Sequence, residues 1–372
     1  MSTPVIDPQI TLPADEGING FLSLFESDWV WHTYCSELGE PEDLPRRIRA
    51  IQLNYRPGRR ACVSYSAEWN RGKWIQEDRF AIELTDTGSK RFFRYPDDPH
   101  LPGLSGAASP IDADLLLARY TSSSFRRPLV QIMRYRPGSR AVLRYTSRQE
   151  MQPLFVRVMP PERIGRWLSA ADLASKSGFQ LPRILGYWEE GGLVWLTGVP
   201  GESVRQRIHS GTPPDPASIL DGLANLWSSE VDPQQGRTLD ILSGFKMTEG
   251  LLSHVIPASE QHLVHRLADV LGPFCATWRP SALAHNDFHD DQVVLTPQGR
   301  LALVDFDEIG LGDPLLDVAN LMAHLRWMAR FRNAPEECQA YHRLIRNAAL
   351  NRFDWDPQDL NMLATSKSGT LS

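Results

Sequence analysis

Apolar and polar positions follow two different rhythms along this chain. The segment Leu53-Asn54-Tyr55-Arg56-Pro57-Gly58-Arg59-Arg60-Ala61-Cys62-Val63-Ser64-Tyr65 reads as a strand, a Pro-Gly turn and a returning strand. Eighty residues on, Met133-Arg134-Tyr135-Arg136-Pro137-Gly138-Ser139-Arg140-Ala141-Val142-Leu143-Arg144-Tyr145 repeats Tyr, Arg, Pro, Gly, Arg, Ala and Tyr at the same offsets. Seven matches in eleven positions mark a duplicated hairpin, and two copies are too few for a solenoid. Leu154-Phe155-Val156-Arg157-Val158-Met159 alternates as a further strand with one basic residue inside it. Ile164, Trp167, Leu168, Ala171 and Ala174 then recur at helical spacing, with Gly178 where a helix would end.

Arg183-Ile184-Leu185-Gly186-Tyr187-Trp188 is strand-like, and the apolar run Leu193-Val194-Trp195-Leu196-Thr197 enters a loop broken by Gly198, Pro200 and Gly201. From about residue 213 the spacing becomes helical. Leu263, Leu267, Val270 and Leu271 are expected to form one apolar face, and Leu321, Met322, Leu325 and Met328 another. Strands first and helices afterwards predict an α+β fold with segregated lobes and a cleft between them. Residues 1 to about 50 are mixed; Trp29, Trp31 and Tyr34 read as core.

At 372 residues and 42% hydrophobic content the chain has material for two or three compact domains. It has no apolar run of about 18 residues, so no membrane span is expected. The start, Met1-Ser2-Thr3-Pro4-Val5-Ile6-Asp7, lacks the order of a secretion signal. Cys35, Cys62, Cys275 and Cys338 are scattered without CxxC spacing, which suits core positions in a reducing cytoplasm. The formal charge of −6 and pI near 5.9 provide no bulk attraction to nucleic acid. Nor do the paired Tyr-Arg-Pro-Gly turns carry the interleaved aromatic runs of a base-stacking surface, so no nucleic-acid partner is expected.

The chemistry is concentrated in His285-Asn286-Asp287-Phe288-His289-Asp290-Asp291-Gln292, set between apolar runs and followed by Asp305-Phe306-Asp307. Rigid acidic loops make sites for hard cations such as magnesium, and magnesium usually means phosphate. An acidic loop alone is more often a solvated turn. Here the downstream pair reverses that, because an Asp, a carboxamide five residues on and an Asp-Phe pair on the next strand is the arrangement protein kinases use for phosphoryl transfer. The first Asp orients and deprotonates the acceptor hydroxyl, and the carboxamide and later Asp place oxygens on magnesium; here these are Asp287, Gln292 and Asp305.

His285 and His289 lack the helical face of a zinc motif; His285 is expected to brace the loop and His289 to be solvated. Asp313-Pro314 reads as a helix start, with Asp317 in the electropositive first turn or indirectly fixing the metal loop. Arg157 is either a fork-shaped phosphate ligand or an edge-strand charge facing water. The turns Arg56-Pro57-Gly58-Arg59-Arg60 and Arg136-Pro137-Gly138-Ser139-Arg140 either cradle phosphates through backbone N–H groups and Arg side chains or are ordinary hairpins. Neither contains a Walker motif or a full GxGxxG.

The run Ala284-His285-Asn286-Asp287-Phe288-His289-Asp290-Asp291-Gln292-Val293-Val294-Leu295, with Leu303-Val304-Asp305-Phe306-Asp307-Glu308-Ile309-Gly310-Leu311-Gly312-Asp313-Pro314-Leu315-Leu316-Asp317, resembles the aminoglycoside phosphotransferase and choline kinase family. The resemblance covers roughly residues 126 to 340 and implies a protein-kinase-like fold: an accessory β-containing domain over residues 1–125, an N-lobe over 126–198 and a helical C-lobe over 199–372. It implies Asp287 as catalytic base, Gln292 and Asp305 as magnesium ligands, and Arg157 in the ATP-lysine position. Gly138 and Ser139 fall in the phosphate-facing turn, and the adenine would lie along the hinge of Trp195, Thr197 and Val199. Three departures stand out. Gln292 replaces Asn, Arg157 replaces Lys, and the helix after Arg157 offers only Glu162, at its very start, as the acidic partner.

The expected activity is an ATP- and magnesium-dependent phosphotransferase acting on a hydroxyl of a small metabolite such as a sugar, an amino alcohol or an aminoglycoside-like molecule. The rival expectation is a kinase-like module that binds nucleotide, or scaffolds a partner, without transfer; Arg157 and the missing Glu motivate it. The first 125 residues lie outside the usual family core and resemble a duplicated piece of N-lobe.

Overall fold

The computed structural model describes residues 15–230, 237–331 and 335–371; the Met1–Asp7 segment lies outside them. After α1 (Ser27–Leu38), four antiparallel strands follow in chain order: β1 (Arg47–Arg56), β2 (Arg60–Arg71), β3 (Trp74–Thr85) and β4 (Lys90–Arg94). Val30 and Tyr34 of α1 are buried against Tyr65 and Phe80, with Trp29 and Trp31 partly buried around them. The helices α2 (Leu104–Ala108) and α3 (Pro110–Tyr120) lead to a second sheet of β5 (Leu129–Arg136), β6 (Arg140–Thr146), β7 (Leu154–Val158), β8 (Ile184–Trp188) and β9 (Leu193–Thr197). Its order is β5-β6-β7-β9-β8, antiparallel throughout.

Leu104 and Leu117 pack on this second sheet, against Leu143, Tyr145 and Trp195. Residues 98–125, assigned by sequence to the N-terminal unit, therefore share a core with the second sheet. The reason is geometric: a five-stranded sheet with apolar residues on both faces needs a cover on each. The helix α4 (Ile164–Ala174) covers the other face, with Ile164 and Trp167 in one core with Val194 and Leu196.

The duplication runs deeper than the hairpins. Gly58 and Gly138 have φ of 63° and 64°, and in each turn the following N–H donates to the Arg carbonyl (Arg59 to Arg56, Ser139 to Arg136, both 3.0 Å). This is the type II pattern, with Pro at the second position and Gly where φ is positive. Asp15 Oδ2 accepts from the Tyr55 hydroxyl (2.6 Å) and Gly58 N–H (2.8 Å), and Asp98 Oδ2 accepts from Tyr135 (3.0 Å) and Gly138 N–H (2.7 Å). Tyr65 donates to the Leu24 carbonyl (2.6 Å) as Tyr145 does to Ala107 (2.5 Å). Each unit is thus an Asp-bearing loop, a helical cover and a hairpin tied back to that Asp. They differ at one telling place. Glu83 faces Cys62 across its sheet as Arg157 faces Val142, so an acid occupies in the first unit the register position of Arg157 in the second. Glu83 is paired with Arg60 (2.9 Å) and Arg91 (3.6 Å).

The remainder is helical: α5 (Val204–His209), α6 (Pro216–Trp227), α7 (Ile241–Val255), α8 (Gln261–Thr277), α9 (Pro314–Phe331), α10 (Pro335–Arg352) and α11 (Pro357–Leu371). Short strands thread between them. One sheet joins β10 (Glu202–Ser203), β13 (Val293–Leu295) and β14 (Leu301–Leu303); another joins β11 (Arg237–Thr238), β15 (Gly310–Gly312) and β12 (Ala282–Ala284). The expected α9 face of Leu321, Met322, Leu325 and Met328 is buried. On α8 the expected face holds only in part: Leu271 is buried and Leu267 half-buried, but Leu263 and Val270 are 48% and 62% exposed, and Val264 and Cys275 turn inward instead. That helix packs on α7, which buries no residue of its own, so a narrow seam suffices. The result is the expected α+β, kinase-like division into a strand-rich half and a helical half. Among the described residues no helix is long and apolar enough to cross a membrane, and all four cysteines are free.

One buried group makes the helical half acid-sensitive. Burial, with Arg326, Arg346 and Arg343 nearby, lowers His342 on α10 from 6.5 to about 4. The unfolded chain therefore takes up a proton that the folded chain refuses between these values, and stability falls as pH drops through that window. His342→Gln should flatten this loss, seen as a smaller fall in thermal midpoint between pH 6.5 and 4. Parallel curves for both proteins would refute the assignment.

Candidate functional site

The loop between β12 and β13 is gripped on both sides of the exposed Asp287. Asp317, fully buried on α9, accepts from the His285 N–H (2.8 Å), the Asn286 N–H (2.7 Å) and Trp227 Nε1 (2.9 Å). Burial pushes its carboxyl above the usual range, while His285 and the three donors pull it back. Asn320, one turn on, donates to the Phe288 carbonyl (3.0 Å). The His285 Nε2 lies 2.8 Å from the Asp305 carbonyl, and Asn286 Nδ2 donates to the Glu308 carbonyl (2.9 Å), tying this loop to the one between β14 and β15. Asn286 holds φ of 68°, a conformation tolerated by Asn and here fixed by these bonds. Residues on both sides of Asp287 are clamped, and Asp287 itself is exposed. Asp313 caps α9, accepting from Leu315 N–H (2.9 Å) ahead of Pro314. Asp317 is a brace for the loop more than a first-turn charge.

Asp287 opens onto a cavity of about 850 Å³, which Asp305, Asp307, Arg157 and Ser139 also line. That volume suits a small-molecule site. Arg157 is buried in mid-sheet, so it is not an edge-strand charge facing water. Its guanidinium pairs with Asp307 and lies 3.5 Å from Asp305. Burial lowers its proton affinity and Asp305 opposes the shift. Asp307 also takes Trp167 Nε1 (2.8 Å) and lies 3.4 Å from Arg140. Glu162 is exposed in a short turn before α4, so the acidic partner sought in the helix comes from the second Asp of Asp305-Phe306-Asp307. The helix contributes Trp167 instead.

The other expected residues are placed differently. Gln292 is buried, its Oε1 accepts from the His289 N–H (3.0 Å), and it does not line this cavity; the second lone pair of that oxygen is left for another donor or a cation. The Asp305 carboxylate does line the cavity, an oxygen ligand of the kind a hard cation takes. Gly138 sits in the turn beside Ser139, held by Asp98. Trp195 lies fully buried on the face away from Val194 and Leu196, near-parallel to Tyr120 at 6.2 Å, so its indole cannot face the cavity. Thr197 Oγ1 accepts from the Arg183 N–H (2.9 Å), and Val199 is half-buried in the following loop.

His289 is not simply solvated. Its ring stacks on His324 of α9 (4.3 Å between centroids), and burial lowers its proton affinity against the pull of Asp287 and Asp290. His289, Asp290 and His324 offer ligand atoms within 4.8 Å of one another, but Asp290 is held by Arg205 (2.8 Å) and His289 Nδ1 accepts from the Asp291 N–H (3.3 Å).

Similar solved structures include the ADP-bound aminoglycoside phosphotransferase APH(2'')-Ib, with 14% identity over 69% of this chain and 97% of that one and a TM-score of 0.42. Aminoglycoside phosphotransferase APH(4)-Ia has 13% identity over 68% and 87%, with a TM-score of 0.46. Choline kinase LicA from Streptococcus pneumoniae has 13% identity over 70% and 97%, with a TM-score of 0.41. No curated protein matches the chain. The model of the phosphotransferase enzyme family matches residues 137–356, more than half the chain, from the second Pro-Gly turn to just beyond α10. The chain therefore belongs to the phosphotransferase enzyme family.

Proposed function

We propose that the protein transfers the γ-phosphoryl group of ATP to a hydroxyl of a small metabolite, with magnesium, in the cytoplasm. One observation carries the reading: Asp287 stands exposed between clamped neighbours on the cavity that Asp305 and Arg157 also line. The acceptor oxygen bonds to the γ-phosphorus as its proton passes to Asp287, and the bond to the β-phosphate oxygen breaks to release ADP. Asp305 and Gln292 would hold magnesium, which would supply charge neutralisation for the phosphates. Arg157 binds phosphate oxygens and is itself steadied by Asp307. The turn at Gly138 and Ser139 would cover the phosphates through the Ser139 hydroxyl, since the Gly138 N–H is given to Asp98 and the Ser139 N–H to the Arg136 carbonyl. The adenine would lie along 195–199, with Trp195 contributing only backbone.

The Arg157–Asp307 pair supports transfer over mere nucleotide binding, because it supplies the acid that the helix lacks. Protein, ATP and magnesium incubated with sugars, amino alcohols and aminoglycosides should give ADP and an acceptor one phosphoryl group heavier by mass spectrometry. Bound nucleotide with no product from any acceptor class would return the chain to a binding module. Arg157→Ala should raise KM for ATP roughly 10- to 100-fold, as expected for loss of a charge-assisted hydrogen bond, with Arg157→Lys recovering part of it. An unchanged KM in steady-state assays would remove Arg157 from the nucleotide site.

A further inference from the structure

The two duplicated turns converge. Arg56 of the first Tyr-Arg-Pro-Gly turn and Arg136, its counterpart in the second, line the same cavity, although the first turn belongs to a separate sheet. Asp15, which anchors the first turn, lies 3.9 Å from His254 Nε2 on α7, and the Tyr55 ring is 5.8 Å from that imidazole. The N-terminal unit thus spans from the cavity to the helical half. With Glu83 neutralising Arg60 where the second unit keeps Arg157, it offers no second cationic strand for a nucleotide. What it presents to the cavity is Arg56.

The charge there is lopsided. Eight arginines and four carboxylates line the cavity, in a chain whose formal charge is −6. Asp307 engages Arg157 and Arg140, and Glu308 engages Arg237. Arg56, Arg134, Arg136, Arg163 and Arg166 pair with no carboxylate among the described residues. Arg136 is half-buried with its Nε unbonded, and burial together with Arg134 and Arg140 pushes its guanidinium down to about 10. Like charges gathered at this density need an anion. Magnesium offsets half the charge of a nucleoside triphosphate, and Arg157 and the turn at Ser139 already serve what is left. The surplus stands on three elements around the cavity: β5, the start of α4 and the N-terminal turn, the last outside the sheet that carries Arg157 and Ser139. A cationic acceptor would be repelled by it.

We infer that the acceptor is an anion, a hydroxylated small molecule that already bears a phosphate, and that Arg56 of the N-terminal unit helps bind that phosphate. This rests on the nucleotide reading of the cavity. The guanidinium fork matches phosphate geometry, and Arg is the side chain that recognises it in two-point fashion.

The experiment uses the full chain saturated with ADP and magnesium and titrates glucose 6-phosphate, glucose and choline by calorimetry. Glucose 6-phosphate should bind at least about tenfold more tightly than glucose, and choline should not bind. Arg56→Glu should weaken glucose 6-phosphate about tenfold or more while ADP affinity stays within about twofold. An Arg163→Ala/Arg166→Ala double variant should act in the same direction, and because all three side chains are exposed the thermal midpoints should match wild type. Equal affinity for the sugar and its phosphate, preference for choline, or an unmoved affinity in both variants would overturn the anionic acceptor and leave the kinase reading intact. Failure of ADP itself to bind would overturn both.

Discussion

Asp287→Asn should give a protein that binds ATP as the wild type does and transfers almost nothing. A positioned general base contributes about 10²–10⁴ in rate, so kcat should fall by that factor while KM for ATP moves by less than about twofold. Asn preserves the shape of the side chain and one acceptor oxygen but cannot take the proton of the attacking hydroxyl. The usual objection, that the substitution disturbs the loop, is weak here because the loop is held through its neighbours. His285 and Asn286 are fixed by Asp317, Phe288 by Asn320, and Asn286 again by the Glu308 carbonyl. None of those bonds uses the Asp287 side chain. Initial rates of product formation, measured beside nucleotide affinity and thermal midpoint, separate the outcomes. A kcat within tenfold of wild type at unchanged stability would show that Asp287 is not the base.

That loop was legible because its chemistry is local: Asp287, Gln292 and Asp305 lie within one short stretch, and their order alone suggests phosphoryl transfer. What holds it in place was not. Asp317 touches the loop across about thirty residues, and Trp167 and Arg157 reach Asp307 across 140 and 150. No periodicity reports contacts of that separation. The hairpins are marked by a repeat over eleven positions, but the anchors Asp15 and Asp98 fall outside it because they are 83 residues apart while the turns are 80 apart. A small length difference between loop and hairpin breaks the register that a repeat search relies on. The direction of the Trp195 indole is hidden for another reason. A fully apolar strand has no polar face to orient it, and Leu193 with Trp195 proved to face the α2–α3 cover. The exposed Leu263 and Val270 show the same limit in a helix: a stripe of apolar residues says that a face exists, and the neighbour decides which face is buried.

Removing the brace should do more damage than its distance from the chemistry suggests. Asp317→Ala deletes the acceptor of three donors, the His285 and Asn286 N–H groups and Trp227 Nε1, and the residue is fully buried. Each buried donor left unsatisfied costs about 1–3 kcal/mol. Entry of water into the space of the lost side chain recovers part, so a net loss of roughly 3–5 kcal/mol is expected, in line with breaking other buried polar networks. For a protein of this size that is a fall in thermal midpoint of roughly 4–6 °C. Asp317→Asn distinguishes charge from shape. Oδ2 accepts from both His285 and Trp227 and Oδ1 accepts from Asn286, so whichever way the amide turns, its NH2 meets at least one N–H. The isosteric change should therefore destabilise too, by less than Ala, and both variants should lose kcat at temperatures where they remain folded, because Asp287 is positioned by the backbone that Asp317 holds. Midpoints from thermal unfolding and kcat at a low temperature read the two effects separately. If Asp317→Ala kept its midpoint within a degree of wild type, the buried carboxylate would not be the clamp its three hydrogen bonds describe.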